Sequence, residues 1–452
     1  MKNLKKRWVQ AFGLSALLMV SVGLQAQEEA DHTFSLTGSL LSRGELRYGG
    51  LPETEVEGVL QTRSRSSFIT ERARLTLDFA QKGLDAKIVA QHSGIWGQSS
   101  KGAFNIYEAW AQLKSEGGLF AKIGRQELAY DDERIIGSND WAMAASSHDV
   151  LKLGYEGHQQ KFHLMLAYNQ NPENVDGGNF YTGGAQPYKT MQTAWYHFDF
   201  KNFPLGASLL FMNIGMQAGS ETKPVTKYQQ LVGGFLSFKP SHWLFEASYY
   251  RQMGKYVENT YSEEDVGIGT IPIKAWMASL KVEYTPSSRY SINAGYDYLS
   301  GDENFATPGE GDIGLIRHDK MRGFSTVYGS HHQFYGAMDF FYVSAYRNGF
   351  SPGLQNLYVG GTWAPTSSLN FEASYHFLAT TAHLRNAHKP LGHEIDVTAS
   401  YALTKESKLT LGYSFMGGTK TMEVLKHTSE NRKLHWAWLM VSISPSAFIT
   451  KW

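Results

Sequence analysis

Arginine recurs in this chain two positions apart, a spacing suited to holding anions. Arg72 and Arg74 flank Ala73, and Arg43 and Arg47 lie two residues either side of Glu45. A guanidinium is planar, stays charged, and meets a carboxylate through two parallel hydrogen bonds. A denser cluster follows. Arg125, Asp131, Asp132, Glu133, Arg134 and Asp140 fall within sixteen positions, between the apolar runs at Leu119 and Leu153. Residues two apart share a face only on an extended chain, so strands must position the paired arginines.

Strands are what the hydropathy pattern gives. In Arg72-Ala73-Arg74-Leu75-Thr76-Leu77-Asp78-Phe79 polar and apolar residues alternate, and the same holds for 276–284, 370–377 and 394–401. We read eighteen strands, near 33–48, 67–79, 84–93, 105–114, 119–128, 149–156, 161–169, 190–200, 205–214, 229–238, 244–252, 273–284, 290–299, 354–364, 369–378, 393–403, 407–416 and 434–444. Short turns, such as 80–83, 115–118 and 157–160, alternate with long polar connections. A nineteenth segment, His331 to Phe341, would break that order and is placed inside one long loop, 300–353. Ten-residue strands, aromatic residues at strand ends and short/long alternation predict an all-β transmembrane antiparallel barrel. It has about eighteen strands, short periplasmic turns and long external loops.

Composition agrees. The chain has 452 residues, is 13% aromatic and 19% charged, and contains no cysteine. Disulfides, thiolate metal sites and lipid attachment through an N-terminal Cys are therefore excluded. Residues 1–26 carry Lys2, Lys5, Lys6 and Arg7 ahead of an apolar run, Ala11 to Leu24, the pattern of a secretory signal peptide. We expect export to the outer membrane, with 27–452 forming the barrel. Without that segment the 42 basic residues fall by four to 38, against 42 acidic ones. Such a balance is not that of a nucleic-acid binder.

Within a barrel, phase decides what a charge can do. A Lys or Arg facing lipid at mid-membrane costs roughly 2–4 kcal/mol, so the charged phase must face the lumen. Arg43, Arg47, Arg72, Arg74, Lys87 and Lys122 then line a pore, with Asp78 further down as an orienting acid. Arg125 falls on the apolar phase of Ala121 and Ile123; a bulge at Gly124, or the strand ending there, would turn it inward. An inward lining of cations attracts anions and lowers their entry barrier. The plainer alternative is that each arginine pairs with a neighbouring acid and braces the wall. Asp131, Asp132 and Asp140 are expected to orient Arg125 and Arg134.

Enzyme motifs do not hold up. Gly349-Phe350-Ser351-Pro352-Gly353 has the G-x-S-x-G letters, but the residue after the nucleophile must donate an N–H and Pro352 has none. His393-Glu394 opens like H-E-x-x-H, yet position 397 is Val and the segment alternates as a strand. Adjacent His331 and His332 point apart on an extended chain. Asp302, Glu303, Glu310 and Asp312 could hold calcium but lack an EF-hand register. We expect no catalytic residues, no metal and no cofactor.

Several segments resemble the alginate-export family of outer-membrane barrels. They are Gly124-Arg125-Gln126 followed by Asp132, Arg134, Gly137, Trp141 and His148-Asp149; Arg72-Ala73-Arg74-Leu75; Tyr296-Asp297-Tyr298-Leu299-Ser300-Gly301-Asp302; and His332-Gln333-Phe334-Tyr335-Gly336. The resemblance implies a monomeric eighteen-stranded barrel in outer-membrane lipid with a narrow electropositive pore for an anionic polyuronate. It also implies that Arg74, Arg125 and Arg134 meet substrate carboxylates. A periplasmic partner is left open. Competing readings are a general porin, an outer-membrane hydrolase and an adhesion barrel whose lumen is plugged by 300–353.

Overall fold

The computed structural model describes residues 32–49, 54–56, 59–61, 65–97, 102–171, 180–181, 186–259, 268–302, 320–341, 351–384, 387–426 and 432–451. The expected signal peptide lies outside them, as do Glu303, Glu310 and Asp312.

Eighteen strands close into one antiparallel barrel. In chain order they are β1 (Thr33–Tyr48), β2 (Arg65–Gln81), β3 (Leu84–Ile95), β4 (Ala103–Lys114), β5 (Leu119–Gln126), β6 (His148–Glu156), β7 (Gln160–Tyr168), β8 (Thr190–Asp199) and β9 (Leu205–Ser220). There follow β10 (Lys223–Phe238), β11 (Trp243–Asn259), β12 (Ile268–Ser287), β13 (Tyr290–Leu299), β14 (Leu354–Trp363), β15 (Leu369–Ala379), β16 (Pro390–Ala402), β17 (Ser407–Gly418) and β18 (Lys433–Ile443, resuming at Ser446–Lys451). Each pairs with its sequence neighbours, and β1 pairs with β18 to close the ring. The interruption in β18 falls at Pro445, which has no N–H for the ladder. Its carbonyl still accepts from the Gly38 N–H at 3.2 Å. A closed ring satisfies every backbone group within the sheet, which lipid requires.

All eighteen expected strands form, and His331 to Phe341 is not a strand; it holds a short 3-10 turn at His331–Gln333. One connection differs. The segment between 214 and 229 reads as a long loop, but β9 and β10 run on to meet across a turn of Glu221 and Thr222. Above the membrane both faces of a hairpin meet water, so nothing there demands the alternation by which strands are recognised.

The faces sort as the phase argument requires. Leu75, Ile123, Leu209, Leu280, Ile292 and Leu357 project outward and are exposed. Outward aromatic pairs sit at the short-turn end, Trp243 against Tyr284 and Trp363 against Phe371, where an interfacial girdle belongs. The apolar core lies inside the barrel. Met165, Met191, Met212, Met277, Leu378 and Met416 point inward and are fully buried. They are covered by Leu128, Ile136 and Phe324 from two loop segments, 127–147 and 320–341, that fold into the lumen.

Candidate functional site

The two loops dock on each other as well as on the wall. Tyr328 N–H donates to Ile135 O at 3.0 Å and Gly137 N–H to Tyr328 O at 2.9 Å. Ser330 Oγ donates to Glu133 Oε2 at 2.7 Å and accepts from the Asn139 N–H at 2.8 Å. Among the described non-glycine residues with positive φ, all but Ser241 belong to these loops, Val327 included. A β-branched residue seldom adopts that conformation, and such strain gathers where surrounding contacts over-determine the backbone.

On one side the pair of loops meets β1 and β2. Arg43 Nε and Arg47 Nη2 both reach Glu45, each at 2.9 Å, and Glu45 also accepts from the Trp436 indole at 3.0 Å. Arg72 and Arg74 both reach Asp140, at 3.1 Å and 2.9 Å. Arg72 Nη1 donates further to the carbonyl of Asp140 at 2.9 Å, and Arg74 Nε donates to Gln91 Oε1 at 2.7 Å. The Arg74 guanidinium lies 4.1 Å over the Tyr107 ring, and its buried Nη2 has no hydrogen-bond partner. Each carboxylate thus serves two guanidiniums. The inward arginines do brace the wall, as the plainer alternative has it, with one more guanidinium than carboxylate in each set of direct contacts; Asp339 stands further off from Arg43.

Trp141, next to Asp140, packs on the inward side chains of the paired strands β1 and β18. Its ring is 4.1 Å from the Arg43 guanidinium, 5.1 Å from Trp438 and 6.0 Å from Trp436. His332 of the other loop stacks on it at 4.0 Å, held by Asp339 at 2.8 Å.

The remaining candidates separate. Lys87 points inward and pairs with Glu108 at 3.0 Å, which draws it from its ladder neighbour Asp78. Lys122 points inward over Trp110 at 3.5 Å and stands beside Lys152 in the ladder. Arg125 does not turn inward. Its pairing with Ala109 and Asp149 runs without a register shift, so no bulge forms. Gly124 instead adopts φ +124°, where a Cβ would stand 2.2 Å from Ala109 O, so only glycine fits. Arg125 makes a two-point pair with Asp149 at 2.8 Å, on the phase opposite buried His148 and Val150. Its flank still borders a cavity of about 370 Å³ near the external rim, lined also by Asn105, Tyr107, Gln186 and Tyr328.

Arg134 is inward but enclosed. It pairs with Asp132 and with Asp297 of β13, each at 3.0 Å, and covers the Phe334 ring at 3.9 Å. Burial opposes its charge, yet Asp297, Tyr335 and Asp132 together hold it well above the ordinary guanidinium value. It fastens one loop to the wall and the other loop. Asp132 orients it as expected. Asp131 orients no arginine: it accepts the Trp195 indole N–H at 3.1 Å, and burial pushes its carboxyl up. Asp140 orients Arg72 and Arg74, not Arg125 or Arg134.

Several residues met in the sequence under other headings prove to be fasteners of the loops. Asp297 accepts from Ser279 at 2.8 Å and from Asn356 at 2.9 Å as well as from Arg134. Glu394 accepts the Met338 N–H at 2.7 Å, and Gly336 passes so close that a Cβ would meet Glu394 Oε2 at 2.5 Å. Asp302 spends its carboxylate on the N–H groups of Arg322, Gly323 and Ser351, the role of a loop staple. Ser351 Oγ likewise accepts the Gly353 N–H at 3.1 Å, within a turn. Inward tryptophans at 436 and 438, two apart, were the legible sign of an aromatic wall.

Residues 51–432 match the family model described as alginate export, and the chain belongs to that family. No match is found among curated protein sequences. Among solved structures, Pseudomonas aeruginosa OpdL is similar with a TM-score of 0.58 at 10% identity, covering 92% of this chain and 99% of that one. P. aeruginosa OccK2 (OpdF) in complex with glucuronate gives 0.55 at 14%, covering 91% and 98%. A BenF-like porin from Pseudomonas fluorescens Pf-5 gives 0.56 at 11%, covering 91% and 97%. At these identities the likeness is one of fold. Family and neighbours are channels or porins, which are not enzymes, and the chain is an outer-membrane barrel channel.

Proposed function

For this member of the alginate-export family, we propose a passive, anion-preferring channel for a carboxylated sugar, an oligo- or polyuronate, acting as a monomer in the outer membrane after loss of residues 1–26. The observation that carries this reading is the two-to-one count of guanidiniums to carboxylates at Glu45 and at Asp140. Lys122 and Lys152 add cationic groups further round the same wall. Positive potential on a low-dielectric wall concentrates anions and speeds their entry. With no ATP or ion-coupling motif in the sequence, flux follows the gradient, and several individually weak sites let the solute leave.

Among these cations, Arg72, Arg74, Arg43 and Arg47 are those a solute meets; Arg134 fastens the loops, and Arg125 pairs with Asp149 on the outward phase. The test is a reversal potential across a planar bilayer in a salt gradient. Anion preference is expected, and Arg72→Glu with Arg74→Glu should abolish or reverse it. Cation preference in the unaltered protein would overturn the reading. Liposome swelling separates it from a general porin, which would pass glucose and glucuronate alike.

A further inference from the structure

The loop 127–147 does more than narrow the lumen. Adjacent residues on an extended chain point to opposite sides, yet Asp140 and Trp141 both face one cradle built by β1, β2 and β18. The carboxylate of Asp140 lies on Arg72 and Arg74. The ring of Trp141 lies against Arg43, with Trp438 and Trp436 edge-on behind it. Asn139 just before them takes φ +49°, which turns the chain so that both side chains reach the same wall.

A hexuronate presents the same two features, a carboxylate one bond from a six-membered ring. Its C–H face packs on aromatic rings, and its carboxylate pairs with guanidinium forks. We infer that Asp140 and Trp141 are an internal stand-in for a uronate residue, occupying an Arg72/Arg74/Trp436/Trp438 subsite that the solute takes over by displacing them. This rests on the channel reading above, and it adds that the site is self-occupied at rest and how the lumen opens to its solute.

Burial gives the exchange its direction. The Asp140 side chain is 52% exposed, whereas that of Arg72 is 6% exposed. The carboxylate can therefore move into water at little cost, but the guanidinium it leaves would be a buried, uncompensated charge. One carboxylate must enter as the other departs. Arg74 Nη2, buried and without an acceptor, is a further donor for a ligand that reaches deeper than Asp140 does. A neutral sugar cannot replace the carboxylate, and a small acid lacks the ring. Departure of Trp141 also removes the surface on which His332 stacks, so it loosens the second loop with the first.

The test is calorimetric binding to the full chain in detergent, with folding checked by heat-dependent electrophoretic mobility. Glucuronate is expected to bind, with glucose and acetate much weaker. D140N removes the competitor while keeping its shape, and should tighten glucuronate binding about tenfold, as expected when a self-occupied site is freed. W141A should act in the same direction and serves if D140N does not fold. Adding R72Q and R74Q to either should abolish binding. Unchanged or weaker glucuronate binding in the folded D140N or W141A variant, or acetate binding as tightly as glucuronate, would overturn the stand-in. The two ideas fail separately: anion preference in the bilayer without tightening in D140N sinks only the stand-in, whereas loss of anion preference sinks the channel reading.

Discussion

Two walls of the lumen carry charge, and they handle it in opposite ways. On β1 and β2 the inward arginines outnumber the acids they touch, and the acid shared by the β2 pair, Asp140, comes from a half-exposed loop tip. On β11 to β16 the inward charges are mostly acids: Glu246, Glu283, Asp297, Glu372, Glu394 and Asp396. The upper members of that set are committed. Asp297 is enclosed by Arg134, Ser279 and Asn356, and Glu394 and Asp396 accept N–H groups of Met338 and Ala337. Glu394 and Asp396 each hold a loop N–H through one oxygen and keep the other buried without a hydrogen-bond partner; groups tied to a loop in this way anchor structure, whereas guanidiniums that share one carboxylate remain available to a third party. The acidic wall therefore anchors the loops, and the basic wall is where a solute competes.

That contrast breaks most visibly at Arg134. Arg134→Ala leaves Asp297 and Asp132 without their cation and should cost about 3–5 kcal/mol, read as a lower denaturant midpoint. Coupling it to Asp297→Asn should restore much of the loss, while ion selectivity stays near that of the unaltered protein. Glu394→Ala strips an acceptor from the buried Met338 N–H and should cost about 1–3 kcal/mol. Faster proteolysis within 320–341 would report it, and a shift in reversal potential as large as that of the Arg72/Arg74 pair would erase the distinction between walls. Glu45→Gln works on the basic side. It leaves Arg43 and Arg47 uncompensated, so anion preference should rise several-fold in permeability ratio, by about 1 kcal/mol or less on the affinity scale. The smallest effect is expected at Lys281, which is partly exposed and lies between Glu246 at 3.6 Å and Glu283 at 3.1 Å. Lys281→Ala should change stability by less than about 1 kcal/mol and reduce anion preference only slightly.

The resemblance blocks gain a physical meaning from the same contrast. Arg134, Gly137, Asp297, Asp302, Tyr335 and Gly336 are distant in the chain but meet at the joint between the two loops and the β13–β16 wall. Arg72, Arg74 and Trp141 meet at the basic wall instead. What looked along the chain like one charge-dense loop is divided between anchoring and solute-facing roles. Arg125 has neither: continuous register kept it on the outward phase, and its partner Asp149 could satisfy it there.

The amino-acid order alone determined the strand count, the lumen-facing phase of Arg43, Arg47, Arg72, Arg74, Lys87 and Lys122, and the placing of His331 to Phe341 in a loop. It could do so because strand period is local: two residues suffice to tell one face from the other, and lipid penalises any error. Even there it failed at β9 and β10, where the strands rise into water and the penalty vanishes. Partnership was decided only by the tertiary structure. Arg72 finds Asp140 across 68 positions and Arg134 finds Tyr335 across 201. No local pattern encodes such a meeting, because it depends on where closure of the ring and infolding of two loops bring the groups together.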